Sequence, residues 1–353
     1  MNDTRPCHIG IIGADVPRQI VLAAGAQPVR LFSTWVGEPT QKAVELLGAT
    51  DVVALRLLDE ILAGRYDELS GIVICNDTAA NLRLFYLLRV LFQRGMLSFP
   101  IILLDAPNDP GDARERFVAR QYEKLAAFCS ELTDVAVDAE TLATAATRER
   151  HVGRALHKMR ERRAARECSG SAALAAYRAA ATDMPEAAIS SVDAASDTVA
   201  ASALPIVVTG SSHPDGSLYD VVEEAGLVVF AEDHDAGDAA WLGEAADGST
   251  AAEVYAALAR MHTQRPPLAP RSRSRARAAS LSAIVTRVQS RGVLALVREL
   301  DDAPAWDLAV QRMAMRSAGV PLEERVRISQ DGALNTAADA AKTLRDRIVK
   351  EPL

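Results

Sequence analysis

Gly71-Ile72-Val73-Ile74-Cys75-Asn76-Asp77 is the stretch whose reading decides the fold. An unbroken apolar run of this length, ending in polar residues, reads as a strand buried on both faces. It delivers first a thiol and then an acid to the mouth of a helix starting near Thr78. The carboxyl end of such a strand is where open α/β sheets bind ligands. The adjacent helix N-terminus would favour the thiolate that a metal requires. The other reading of Cys75 is a small apolar residue closing a core strand.

Working outward, 8–14 reads as a strand, Asp15-Val16-Pro17 as a helix start, Gly25 as that helix's end, and 28–32 as a second strand. Gly10 and Gly13 lack the third glycine of a dinucleotide fingerprint. Segments 40–47 and 52–63 have helical spacing. Segment 79–92 carries leucines and aromatics on most faces and is expected to be well buried, and 99–104 is a further strand. Strands alternating with helices predict a parallel sheet, hence a first α/β domain over 1–110. Helical pattern without strands fills 111–182, a bridge whose charges mark a solvated face. The stretch 183–204 has few large apolar residues and is expected to be a linker or mobile loop. A second α/β domain over 205–353 repeats the first, with strands at 206–209, 227–230, 292–300 and 320–328. The fold class is therefore α/β, with two flavodoxin- or Rossmann-like parallel sheets joined by helices.

The chain has 353 residues, 49% of them hydrophobic and 24% charged, with a net charge of −8. The acidic balance argues against nucleic acid as a partner. No apolar run reaches the roughly 18 residues of a membrane span. The polar start, 1–6, lacks the regions of a signal peptide, and Cys7, Cys75, Cys129 and Cys168 form no CxxC pair, so a reducing cytoplasm is expected.

Several groups are chemical candidates. Gly210, Ser211 and Ser212, in a loop running on to His213 and Pro214 before a helix, can present backbone N–H groups to an anion, or form a plain polar turn. Glu232, Asp233, His234 and Asp235 can bind a hard cation or do acid–base work, although neighbours on a loop point different ways. Asp301-Asp302 reads as a helix cap. Arg271, Arg273, Arg275 and Arg277 can grip an acidic partner or phosphates, or mark a solvated helix start. No GxSxG, HExxH, GxxxxGK(S/T) or CxxC pattern is present, so no catalytic residue is assigned.

Val16-Pro17-Arg18-Gln19-Ile20-Val21-Leu22-Ala23-Ala24-Gly25-Ala26-Gln27-Pro28-Val29-Arg30-Leu31 resembles the "P-E-L-I-x-A-A-G-x-x-P-V-R-L" signature of the 2-hydroxyacyl-CoA dehydratase family, which includes benzoyl-CoA reductase subunits. The segment 71–77 resembles that family's "G-V-V-x-x-x-C-D". Segment 205–235, with Gly237, resembles its "I-x-x-T-G" strand and "E-A-G-x-x-V-V-x-E-D-x-x-x-G" stretch. The resemblance implies pairing with a homologous subunit as a heterodimer. It also implies a [4Fe-4S] cluster held by three cysteines in the cleft, an acyl-CoA substrate and an ATP-dependent activator. Cys75 matches the middle ligand. The first, around 49–51, and the third, around 299–301, are not cysteines here. One thiolate does not hold a cubane that takes three or four. Three readings follow: a cluster-poor or cluster-free partner of an iron–sulfur subunit, an active lyase or reductase subunit with an altered cluster site using Cys75, or a non-enzymatic bilobed anion-binding or scaffold protein.

Overall fold

A computed structural model describes residues 6–34, 37–107, 110–213 and 215–350. Residues 1–5 and Pro214, which figure in the expectations above, lie outside them.

The first sheet contains β1 (His8–Ile12), β2 (Gln27–Arg30), β3 (Gly71–Cys75) and β4 (Ile101–Leu104). All pairs are parallel, in the order β2-β1-β3-β4. Parallel strands need crossovers, and these are α1 (Arg18–Ala23), α2 (Gln41–Leu47) with α3 (Val52–Leu62), and α4 (Ala79–Gln93). Every residue of β3 is buried, as its apolar run requires. Polar caps fix the helix starts. Thr40, Asp51 and Thr78 each accept a backbone N–H from the first turn of α2, α3 and α4.

The second sheet repeats that order with β5 (Leu204–Gly210), β6 (Leu227–Glu232), β7 (Gly292–Arg298) and β8 (Leu322–Ile328), arranged β6-β5-β7-β8 and parallel throughout. Both are the 2-1-3-4 strand order of flavodoxin-like sheets, whose direction of winding reverses beside the first strand. The remaining helices are α5 (Asp112–Thr133), α6 (Ala139–Ala164), α7 (Gly170–Thr182), α8 (Pro185–Ala194), α9 (Ser217–Glu224), α10 (Ala251–Thr263), α11 (Ser274–Arg287), α12 (Asp302–Ser317) and α13 (Ala333–Lys350). No described helix is long and apolar enough to cross a membrane.

The structure changes three expectations. The stretch 183–204 is not a bare linker, because α8 occupies ten of its residues and buries Ala188 and Val192 against α6 and α7. Small alanines supply that contact where large apolar residues are lacking. Second, α4 buries Leu84, Phe85, Leu88 and Leu91 but leaves Tyr86, Val90 and Phe92 exposed, so it lies on the sheet with one face open. Third, the expected division at residue 205 does not hold for α10. Its Val254, Tyr255, Leu258 and Ala259 join the core formed by α5 and the first sheet. Gln19 of α1 ties this return down, its side chain bonding both the N–H and the carbonyl of Ala246. Helix α6 does bridge the halves: Glu149 pairs with Arg18 of α1, and Arg163 with Glu232 at the end of β6.

Candidate functional site between the facing strand ends

The carboxyl ends of both sheets face a common cavity of about 690 Å³. Around it the loops after β1, β3, β5, β6 and β7 converge.

Cys75 lies just behind the wall of the first sheet. It is fully buried, and its Sγ accepts the Asp15 N–H at 3.4 Å. Asp15, Cys75 and Asp77 place one ligand atom each within 4.8 Å of one another. Gly13 makes this approach possible, since a Cβ there would sit 2.4 Å from Asp77 Oδ2 and 2.5 Å from the Cys75 Cβ. The expected thiolate is not favoured. Burial pushes the Cys75 thiol far up, and the carboxylates of Asp77 and Asp15 push it further. Asp77 accepts from the Ala14 N–H at 3.0 Å and from the Asn81 amide at 2.6 Å. Burial and then the charge of Asp15 raise its carboxyl to about 7.

The arginine-rich run does not lie wholly on the surface, because two of its members turn inward. Arg271 reaches over the ends of the first sheet to Asp15 at 2.8 Å and to the carbonyls of Asn76 and Ala106. Arg277, fully buried, holds Asp233 at 3.2 Å and Asp307 at 3.1 Å. Arg273 and Arg275 are exposed.

The loop after β5 does not offer the Ser211 N–H to an anion. Gly210 belongs to β5, with φ 112° and no room for a Cβ against the Leu296 carbonyl. The Ser211 N–H is given to Leu296 O at 2.9 Å, Ser211 Oγ accepts the Arg298 N–H at 2.9 Å, and the Ser212 carbonyl accepts from the Arg298 guanidinium. The start of α9 is served by Asp215, which takes the Ser217 N–H at 3.1 Å.

Glu232 to Asp235 do not converge on one point either. Glu232 pairs with Arg163, Asp233 with Arg277 and Asp235 with Arg30. Burial raises Asp235 and Arg30 outweighs it, leaving that carboxyl below the usual range. The Nε2 of His234 lies 2.8 Å from the Tyr219 hydroxyl, and burial lowers this imidazole to about 4, so it is neutral at pH 7. The ring of His213 packs edge-on to it, with centroids 5.1 Å apart.

Positions 49–51 and 299–301, where the resemblance implies cysteines, come together through Arg298. Its Nε and Nη2 donate to both Asp51 oxygens at 3.1 and 2.6 Å, and Asp301 Oδ2 lies 3.3 Å away. Asp301 caps α12 by position, but its side chain makes no cap bond. Residues of this type do not fit a [4Fe-4S] cluster. The donor set is one protonated buried thiol and two hard carboxylates held by a guanidinium, where soft thiolates are required. The other cysteines do not substitute. Cys7 precedes β1 at the opposite end of the sheet, Cys129 is buried in the core that α5 shares with the first sheet, and Cys168 in the helical core of α6, α7 and α8. Asp15, Arg30 and Arg298 had no signal as site residues in the sequence beyond their places at strand ends.

The family model described as 2-hydroxyglutaryl-CoA dehydratase, D-component, matches residues 14–323. No curated protein matches the chain. The match runs from the loop after β1 to the start of β8 and so covers six of the eight strands, β2 to β7, and most of the loops around the cavity. The chain therefore belongs to the 2-hydroxyglutaryl-CoA dehydratase D-component family.

Proposed function

We propose that this chain is a cluster-free subunit of a dehydratase- or reductase-like complex, working in the cytoplasm beside a homologous subunit that keeps the three cysteines. One observation carries the reading: Arg298 joins Asp51 and Asp301, bringing positions 49–51 and 299–301 together in an ion-pair network. A buried guanidinium between two carboxylates is a structural cross-tie. It is chemically opposed to a sulfide-rich cubane, which needs thiolates at those places. Cys75, buried and protonated, then serves as a core residue. In this reading the activator's electron and the acyl-CoA chemistry belong to the partner, and this chain supplies the second half of the heterodimer.

Anaerobic purification with iron and acid-labile sulfide assays tests the proposal, on the chain alone and coexpressed with a homologous chain encoded beside it. The expected result is no stoichiometric iron on the isolated chain, and copurification with a partner that carries it. Stoichiometric iron on the isolated chain, lost in Cys75→Ser, would overturn the proposal in favour of an altered cluster site. A colourless chain that binds no homologous partner would overturn it in favour of a separate binding protein.

A further inference from the structure

Helix α4 is apolar on two sides, and this chain covers one of them. Leu84, Phe85, Leu88 and Leu91 are buried with β3 in the core of the first sheet. Arg83, Tyr86 and Val90 follow at i, i+3 and i+7 and form an outer stripe, with Phe92 and Met96 exposed near the helix end. Helix α2 packs beside α4 and adds Val44 and Leu46, both exposed. The two helices are joined where Arg83 donates to the Ala49 carbonyl at 3.0 Å. Six of the twelve large apolar side chains exposed among the described residues therefore stand on α2, α4 and the turn after it. Single exposed apolar residues are ordinary, but a concentration of them marks a contact surface. A helix apolar on all sides is one that is covered on all sides.

The charge here is as one-sided as the hydrophobicity. α4 and its closing turn carry Arg83, Arg89 and Arg94, all exposed, with no acid and no lysine. Among the described residues the side chains of Arg89 and Arg94 have no ion-pair or hydrogen-bond partner. α2 adds one lysine, Lys42, and one acid, Glu45. The chain as a whole has a net charge of −8, so this basic face is set apart from the rest. Aromatic residues, methionine and arginine with few lysines and acids make up the centres of protein interfaces. A second copy of this chain meeting it through the same face would set arginine against arginine, so the complement is a different chain with carboxylates at that place.

We propose that the outer face of α2 and α4 is where the homologous subunit docks, through a surface that receives Tyr86 and Val90 in an apolar centre and offers carboxylates to Arg89 and Arg94. This rests on the subunit role proposed above and assigns it a face of this chain. Arg83 and Ala49 also line the cavity, so the docked partner would border its mouth.

Coexpression of the full chain with the homologous chain encoded beside it tests the surface, by copurification and by the dissociation constant of the complex over a range of salt. The parent complex should loosen as salt rises. Tyr86→Ala should weaken it about thirtyfold, the effect of losing one interface anchor. Arg89→Glu should weaken it about tenfold or more and reduce its sensitivity to salt. Both residues are exposed, so the isolated variants are expected to melt with the parent. Val349→Ala, at the exposed end of α13, should bind as the parent does. A complex left intact by Tyr86→Ala and Arg89→Glu would overturn this docking face while the subunit role stands. Failure of the parent to bind the homologous chain would overturn that role and this inference with it. Self-association of the isolated chain that is lost in Tyr86→Ala would overturn the proposal in favour of a second copy. Binding of the isolated chain to phosphatidylserine vesicles that is lost in Arg89→Glu would do so in favour of a lipid surface.

Discussion

Arg298 at the end of β7 and Asp51 at the cap of α3 stand 247 residues apart in sequence and meet in a bidentate ion pair across the cleft. Asp51 therefore does two things. One oxygen accepts the Val53 N–H that starts α3, and both oxygens receive Arg298. Removing the guanidinium leaves Asp51 and Asp301 facing each other in a poorly solvated place. Arg298→Met is expected to destabilise the protein by about 3–5 kcal/mol. Asp51→Asn keeps the cap acceptor and one hydrogen bond to Arg298, so about 1–2 kcal/mol is expected. Urea unfolding followed by circular dichroism measures both, and equal small losses would show the pair to be a minor contact.

Asp77 links the cavity to pH. Its carboxyl titrates near 7 in the folded chain, against 3.8 for a free aspartate. The folded state thus holds a proton that the unfolded state releases. Stability is full below about pH 4, falls as pH rises through the interval, and levels off above about 7. Asp77→Asn keeps an oxygen to accept the Ala14 N–H, offers its NH2 to the Asn81 side-chain oxygen once that amide turns over, and cannot ionise. Relative to the parent it is expected to gain about 1–2 kcal/mol at pH 8 and to lose most of that gain by pH 5, allowing for partial exposure. Melting curves at the two pH values decide this, and a pH-independent difference would contradict it.

Thiol labelling should separate the cysteines by burial. Cys75, Cys129 and Cys168 are buried and their thiols are raised by desolvation, whereas Cys7 is only half-buried. Iodoacetamide on the native protein, read by mass spectrometry, is expected to modify Cys7 first and the other three only after unfolding. Early labelling of Cys75 would mean an open, ionised thiol.

The loop before α10 crosses α6 at two glycines. A Cβ on Gly153 would lie 2.3 Å from the Gly243 carbonyl oxygen, backbone against backbone, where no side chain can move aside. Gly153→Ala is expected to cost about 2–3 kcal/mol despite the better helix propensity of alanine. A neutral or stabilising result in chemical denaturation would show that the helix can shift.

Much of this architecture was written locally. The run ending at Cys75 is apolar enough to name β3, and Thr78 stands where the following helix needs a cap. Helix α8 escaped because its buried face is Ala188 and Val192, too small to read as a core stripe. The inward turn of Arg271 and Arg277 escaped for another reason. Charge is visible in a sequence, but the partner of a charge is not, and Asp15 lies 250 residues before Arg265, which also pairs with it. The thiolate expected at Cys75 failed because a helix start is a local feature, whereas burial and the opposing carboxylate of Asp15 arrive from elsewhere in the chain.

The return of α10 sets a timetable for synthesis. Helix α5 ends at Thr133, and the helix that covers it ends at Thr263, about 130 residues later. At roughly 5–20 residues per second the apolar face of α5 waits on the order of 6–26 s for its cover. Nascent chains arrested before residue 251 are expected to remain protease-sensitive around α5, and chains long enough to expose α10 beyond the ribosome to become resistant. The first half, though made first, finishes folding only after much of the second half exists.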